Sequence, residues 1–357
     1  MAADRITVAV IGVGGNVSQS IVRALRRSLL PIRIVGLDLT PDQAGLYCCD
    51  AAWVIPRADD PAFLPRLAPL CREEQVRVIL SGAEAVLDAL ADQRETVECA
   101  TGAIFPMPPP ELYWRARDKW TLIGWLNEAG LPAARAALSE DREALQALRD
   151  ACGFPLLAKP RRGGGARGHF PVQDDNDLAW IAHKQGYVVE EVLRPAGGEY
   201  TVGCFSDQAG RLVEMIILRR ELYQGTTYRA WVDDHPEVRA MAQTLCGILR
   251  IPGPCNLQLL MTERGPICFE VNPRFSGTTG IRAAFGFNDV DALLHERLFG
   301  ETPSLPRIRE GVALRYWQEL YPDETARKAL METGRFRQAT PSETPRREPA
   351  GDSPCGC

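Results

Sequence analysis

The sequence is short of histidine, with four residues in 357, and its eleven cysteines never form a Cys-x-x-Cys pair. These shortages argue against a zinc site, which needs clustered thiolates or imidazoles at fixed spacing. Cys71, Cys99, Cys152, Cys204, Cys246, Cys255 and Cys268 stand singly in apolar or mixed surroundings and read as reduced, small core residues. Cys48-Cys49 and the terminal Cys355-Gly-Cys357 are the exceptions. No basic run exceeds three residues, and 41 Lys and Arg against 46 Asp and Glu leave a net charge of -5. The electrostatic footprint of a nucleic-acid binder is therefore missing. Apolar runs such as Ile6 to Val13 are strand-sized, well short of the about 18 residues that a membrane helix needs. The N-terminus lacks the basic start and longer apolar stretch of a secretion signal, so a cytoplasmic location is expected.

What is present is ordinary globular composition, 45% hydrophobic and 24% charged, in a length suited to roughly two to three domains. Ile6 to Gly12 reads as a strand, Asn16 to Arg27 as a helix and Ile32 to Asp38 as a second strand. A helix over Pro61 to Glu74, a strand over Val76 to Leu80 and a helix over Ala83 to Arg94 continue the rhythm. Such alternation predicts a doubly wound α/β domain with a parallel sheet over residues 1–110, closed by the prolines of Pro106 to Pro110. A single helix is expected from Leu112 to Ala129. Strand-like runs then dominate, at Phe154 to Lys159, Gly186 to Leu193, Tyr200 to Phe205, Leu212 to Leu218, Asn256 to Met261 and Ile267 to Asn272. They predict a largely antiparallel α+β body. The segment from Gln338 to Cys357 has four prolines and few apolar residues, and is expected to be disordered.

Four constellations carry chemistry. Gly12-Val-Gly14-Gly15-Asn-Val-Ser18, with Asp38 ending the next strand, partly matches a dinucleotide fingerprint, but Val17 fills the third glycine position. A structural turn and an NAD site fit it equally. Lys159, at a strand end, precedes Gly163-Gly164-Gly165-Ala-Arg-Gly168, a loop whose backbone N–H groups and flanking cations suit phosphate. The bland reading is a flexible surface hairpin. On the strand ending at Asn272, alternation puts Glu270 and Asn272 on one face, with Gln258 on the expected partner strand. Three oxygen donors followed by Arg274 suit Mg²⁺ with phosphate oxygens better than a plain solvated edge does. Glu190, Glu191 and Glu199 lie at a strand-turn-strand junction that is either a solvated hinge or a ribose contact. Arg219, Arg220 and Arg282 are candidates to fork onto a substrate carboxylate, with Arg219 favoured as a surface ion pair and Arg282 as a functional residue. His169, beside the lid glycines, is within reach of a phosphate there, although a lone histidine is more often incidental.

In chain order, these pieces over about residues 5 to 300 resemble the ATP-grasp superfamily, and within it one synthetase half of the carbamoyl phosphate synthetase large subunit. The resemblance implies a pre-ATP-grasp Rossmann-like domain (1–110), a small lid subdomain with its leading helix (111–190), a catalytic subdomain (191–305), an extension (306–337) and the tail (338–357). It implies that Lys119 and Lys159 grip the phosphates of ATP under a lid at Gly163, Gly164 and Gly165. Glu190, Glu191 and Leu193 would hold adenine, and Glu199 the ribose. Gln258, Glu270 and Asn272 would bind Mg²⁺ or Mn²⁺, and Arg274 would steady the transferring phosphoryl group. Arg282, eight residues past Arg274 in a Gly-rich loop, is added from the residues alone as a further catalytic candidate. The implied activity is carboxylate–amine ligation through an acyl phosphate, on small-molecule carboxylate and amine substrates, with a homodimer compatible. A non-catalytic ATP sensor and an NAD-dependent oxidoreductase are the alternatives. Gly277 stands where carbamoyl phosphate synthetase is expected to carry arginine, and neither a second half nor a Met-Lys-Met carrier segment is present, so carbamoyl phosphate synthesis and a fused carboxylase are not expected.

Overall fold

The computed structural model describes residues 5–164, 167–302 and 304–338. The tail expected to be disordered, apart from Gln338, and the lid residue Gly165 lie outside the described residues.

The N-terminal unit runs β1 (Ile6–Ile11), α1 (Asn16–Leu25), β2 (Ile32–Asp38), β3 (Ala51–Val54), α2 (Phe63–Glu73), β4 (Val76–Ser81), α3 (Glu84–Leu90) and α4 (Arg94–Thr101). β3, β2, β1 and β4 pair side by side and parallel. Helices cover both faces, so the strands read as near-continuous Val, Ile and Leu rather than as alternation. The glycine turn enters α1 with Gly12 at φ +74, a conformation that glycine adopts without a side-chain clash.

The helix expected from Leu112 to Ala129 is two helices, α5 (Pro110–Ala116) and α6 (Lys119–Glu128). Asp118 breaks it: its backbone is extended and its carboxylate accepts the Trp120 N–H, an N-cap that starts a new helix at Lys119. The two halves pack differently. Tyr113 of α5 is buried in the N-terminal core, whereas Leu122 and Leu126 of α6 join the core of the central sheet.

A four-stranded antiparallel sheet in the order β5-β8-β6-β7 follows, from β5 (Ala136–Leu138), β6 (Leu156–Pro160), β7 (Phe170–Val172) and β8 (Tyr187–Glu191). It is backed by α7 (Arg142–Cys152) and α8 (Asp175–Ile181). The central sheet is built from β9 (Gly198–Ser206), β10 (Leu212–Tyr223), β11 (Thr226–Val232), α9 (Pro236–Leu249), β12 (Gly253–Thr262) and β13 (Gly265–Asn272). α10 (Thr279–Ala284) and α11 (Asp289–Phe299) pack back toward α1, where the Ser20 hydroxyl donates to the Gly277 carbonyl and accepts from the Gly280 N–H.

Within residues 306–337, expected as a C-terminal extension, two strands join two different sheets. β14 (Val312–Leu314) adds to β11 at the edge of the central sheet. After α12 (Glu324–Thr333), β15 (Arg335–Arg337) pairs antiparallel with β3 and completes the N-terminal sheet. Leu330 and Phe336 are buried there, and Arg337 joins Arg33 and Trp53 in donating to the buried Glu74. Burial pushes the Glu74 carboxyl up, but these donors hold it below its ordinary value. Among the described residues, no helix is long and apolar enough to cross a membrane.

Candidate active site between two antiparallel sheets

The site forms where the four-stranded sheet faces the central sheet, with α6 between them. Its N-cap places Lys119 on the first turn of α6, where the buried ammonium donates to the carbonyls of Pro160 (3.2 Å) and Gly163 (2.9 Å). Arg161 forks onto Asp118 and ties this helix start to the glycine loop. Lys159, at the end of β6, pairs with buried Glu190 of β8 at 2.6 Å, which the antiparallel register places diagonally across the strands. Burial lowers the Lys119 pKa most; Glu270 raises it, Lys159 lowers it and Glu190 raises it. All four groups therefore share one electrostatic environment.

β12 and β13 bring the expected metal ligands together. Gln258 lies directly opposite Glu270, and Asn256 opposite Asn272, so Gln258, Glu270 and Asn272 occupy one face. A cleft with about 10 Å³ of space, about what one water-sized particle needs, is lined by Lys119, Gly163, Glu270 and Asn272. The Glu270 carboxylate has no hydrogen-bond or ion-pair partner among the described residues, and the buried Asn272 Nδ2 is also unpartnered. One carboxylate with two amide oxygens is a hard-oxygen set, and it fits Mg²⁺ or Mn²⁺ that keeps water or phosphate oxygens in its remaining positions.

Arg220, on β10, donates to Glu199 (Nε, 3.0 Å) and to Gln258 (2.6 Å), joining the expected ribose residue to the metal face. Alternation along β10 separates it from Arg219, which turns outward to Asp233 (3.5 Å) and stacks over Trp231, the surface pairing expected of it. Arg274 donates to Glu84 of α3 and to the Phe275 carbonyl. Glu84 also faces Arg117 at 3.6 Å; burial raises its pKa, but Arg274 and Arg117 lower it further. Sequence reasoning missed Glu84, Arg117 and the bridging role of Arg220. The only local signal was the period-two alternation that separates Arg219 from Arg220.

Three expectations fare differently. Glu191 does not join Glu190: it turns to the Arg135 N–H (2.8 Å) and Arg264 (2.5 Å), because neighbouring strand residues point to opposite faces. Leu193 lies just beyond β8, half-buried. Arg282 is not at the site. It is 0% exposed, donates to Ser276 (2.7 Å) and Thr279 (3.0 Å), and faces buried Asp289 at 3.5 Å. The phase of α10 turns it against the Gly203 backbone, where a β-carbon would lie 1.7 Å from its Nη1.

His169 does enter the site's field. Burial, then Lys159 and Lys119, lower its pKa to about 4. NMR titration of the chain's four histidines should show one ring that stays neutral down to about pH 4. Since its folded pKa lies below the ordinary 6.5, its contribution to stability is present above pH 6.5 and lost as pH falls toward 4. In the glycine turn, the Gly14 N–H donates to Asp38 at 2.6 Å and the Leu39 N–H at 2.7 Å, so the carboxylate available for a ribose is engaged by the loop itself.

Residues 184–320 match the family of ATP-grasp proteins in the biosynthetic pathway with Ter operon. This segment is thus similar to the ATP-grasp family. Residues 8–103 match the N-terminal domain of PylC-like proteins. It is 27% identical over 190 residues to formate-dependent phosphoribosylglycinamide formyltransferase of Synechococcus sp. (strain RCC307), covering 50% of this chain and 46% of that one. The counterpart from strain CC9605 is 24% identical over 308 residues, 82% of this chain and 75% of that one. The chain thus spans about half the length of the first of these relatives. In fold, the chain is similar to N5-carboxyaminoimidazole synthetase from Staphylococcus aureus, solved with ADP, at TM-score 0.64 and 16% identity, over 87% of this chain and 80% of that one. The biotin carboxylase domain of Hydrogenobacter thermophilus 2-oxoglutarate carboxylase, solved with MgADP, matches at TM-score 0.64 and 17% identity, over 86% and 73%.

Proposed function

We propose that this chain is an ATP-dependent carboxylate–amine ligase that works through an acyl phosphate and releases ADP and phosphate. The observation that carries the reading is one cleft in which Lys119 and Gly163 of the glycine loop face Glu270 and Asn272, with Gln258 opposite Glu270 on the neighbouring strand, Lys159 paired to Glu190 beside it, and Arg274 two residues beyond Asn272. Mg²⁺ or Mn²⁺ held by Gln258, Glu270 and Asn272 would neutralise phosphate charge. Lys119 and Lys159 hold the phosphates, exchanging their present carbonyl and Glu190 partners for anionic oxygens. Glu190, Leu193 and Glu199 border the adenosine half, with Arg220 steadying Glu199.

The substrate carboxylate attacks the γ-phosphorus as the bond to ADP breaks, and Arg274 balances charge on the equatorial oxygens. The amine then adds to the acyl carbon, and phosphate leaves with the electron pair. The glycine loop, here Gly163 and Gly164, excludes water from the acyl phosphate over which hydrolysis would compete. Relatives that act on formate and phosphoribosylglycinamide, or that make N5-carboxyaminoimidazole ribonucleotide, support this class of chemistry. The free cysteines suit a reducing cytoplasm, and a homodimer is compatible with the fold.

The test is ADP and phosphate release from Mg-ATP across a panel of amino acids and small carboxylates, each with and without an added amine, with products read by mass. Amine-dependent ADP release with a condensed product mass is the expected result. Failure to bind ATP at all overturns the reading.

A further inference from the structure

A second cavity, of about 500 Å³, lies where the N-terminal unit, the β10–β11 hairpin and the C-terminal segment meet. Two arginines line it, Arg23 of α1 and Arg315 just after β14. Neither forms an ion pair with a carboxylate among the described residues. Arg315 donates to Asn16 Oδ1 (2.6 Å) and to the Gly277 carbonyl, and burial together with the nearby Arg23 lowers its pKa to about 10. Burial lowers Arg23 as well. Arg315 is half-buried and Arg23 stands beside it at the exposed mouth of the cavity, so two like charges meet there with no carboxylate between them among the described residues, an arrangement that an anion would relieve. Part of the wall is aromatic, with Tyr223, Tyr228 and Trp317 in mutual ring contact and Trp317 and Tyr223 exposed, among polar residues such as Gln19 and Thr226.

The cavity adjoins the loop that carries Arg274. Gly277, held by Arg315, is three residues further on, so its backbone lies within about 11 Å of that of Arg274. A β-carbon at Gly277 would sit 2.4 Å from Asn16 Nδ2. No arginine stands at this position, but a guanidinium reaches the Gly277 carbonyl from Arg315. The larger cavity of about 660 Å³ beside the glycine turn is a poorer anion site: Asp38, Asp59 and Asp88 line it, and its Arg57 is paired with Asp59.

We infer that this cavity holds the amine substrate, and that this substrate is an amino acid or short peptide whose own carboxylate is clamped by Arg23 and Arg315 while an apolar or aromatic side chain lies on Tyr223, Tyr228 and Trp317. The inference rests on the ligase reading for the word substrate; the binding site stands on its own geometry. Arginines fork onto a carboxylate in two parallel hydrogen bonds, and an aromatic wall adds apolar contact area with cation–π attraction for a free ammonium. The cavity volume suits a molecule of this size.

Two measurements separate this inference from the ligase reading. The first needs no ATP: quenching of tryptophan fluorescence by phenylalanine, leucine and alanine, each beside its C-terminal amide, on the parent chain, on Trp317→Phe, on Arg23→Gln and on Arg315→Gln. The free acids should quench, the amides should bind roughly 30- to 100-fold more weakly, and both arginine variants should show the same loss. Arg23 makes no hydrogen bond among the described residues, so its replacement leaves the Arg315–Gly277 tie in place. Inorganic phosphate is the rival anion, and binding of phosphate with indifference to the acid–amide pair overturns the inference. The second is amine-dependent ADP release, in which both variants should raise KM for the amine and leave KM for ATP unchanged. Quenching without turnover on any carboxylate would fault the ligase reading alone; turnover indifferent to both arginines would fault this inference alone.

Discussion

Glu270→Ala protein should release ADP at about a thousandth of the parent rate while melting at a nearly unchanged temperature. Glu270 is the one carboxylate of the oxygen cluster, it faces Lys119, and it has no other partner among the described residues to lose. Its removal leaves two neutral amide oxygens for a divalent cation, which weakens the site and takes away charge balance where the phosphoryl group moves. Losses of about 10² to 10³ in rate are typical when one preorganised electrostatic group is removed, and a metal ligand stands at the upper end. The folded state loses little by the change, because the side chain sits half-buried at a cleft and joins no ion pair among the described residues. Raising Mg²⁺ in the assay should recover part of the activity. A variant that keeps parental turnover would remove Glu270, and with it the oxygen cluster, from the mechanism.

Arg282→Ala should destabilise the fold by about 3–5 kcal/mol, the usual cost of leaving one member of a buried ion pair alone. Asp289 is fully buried at the start of α11, and burial raises its pKa to about 6 against the opposing pull of Arg282. Its folded pKa exceeds the ordinary 3.8, so the native state binds the proton more tightly and this group's stabilisation is lost as pH rises through about 6. Without Arg282 the carboxylate is more strongly driven to stay protonated. The variant should therefore be much closer to the parent at pH 5 than at pH 8 in urea unfolding. Arg282→Met combined with Asp289→Leu removes both charges and should recover most of the loss, which a role for Arg282 in catalysis would not foresee. An Arg282→Ala protein as stable as the parent at pH 8 would overturn the pairing.

The misplacement of Arg282 shows where the sequence stops being legible. Glu270 and Asn272 were readable because a strand has a fixed period, and Gln258 because a close antiparallel partner follows from a short turn. Lys159 and the glycine loop were readable for the same reason, as was the parallel N-terminal sheet. Residues 276–282 contain Ser-Gly-Thr-Thr-Gly, which sets no helical phase, so the direction of Arg282 depended on contacts with Gly203, far back along the chain, and with Asp289 on the next helix. The same limit hid Arg315 and β15. Each acts only after pairing with residues more than 200 positions away in α1 or β3, and a three-residue strand carries no pattern of its own. The split between α5 and α6 was written locally in Asp118, a residue type that favours a helix start, but the aromatic run around it reads as one continuous helix.

The route of the C-terminal segment has a consequence for how the chain is made. β15 occupies the open edge of β3, and Phe336 stacks on Tyr47 beside it. The N-terminal sheet therefore keeps a bare edge on β3 until residues 335–337 have been synthesised. During that interval the nascent domain presents unpaired backbone groups on β3, the form of surface most prone to join a strand from another chain. The speed of synthesis from β4 through to β15 thus sets how long this edge goes uncovered.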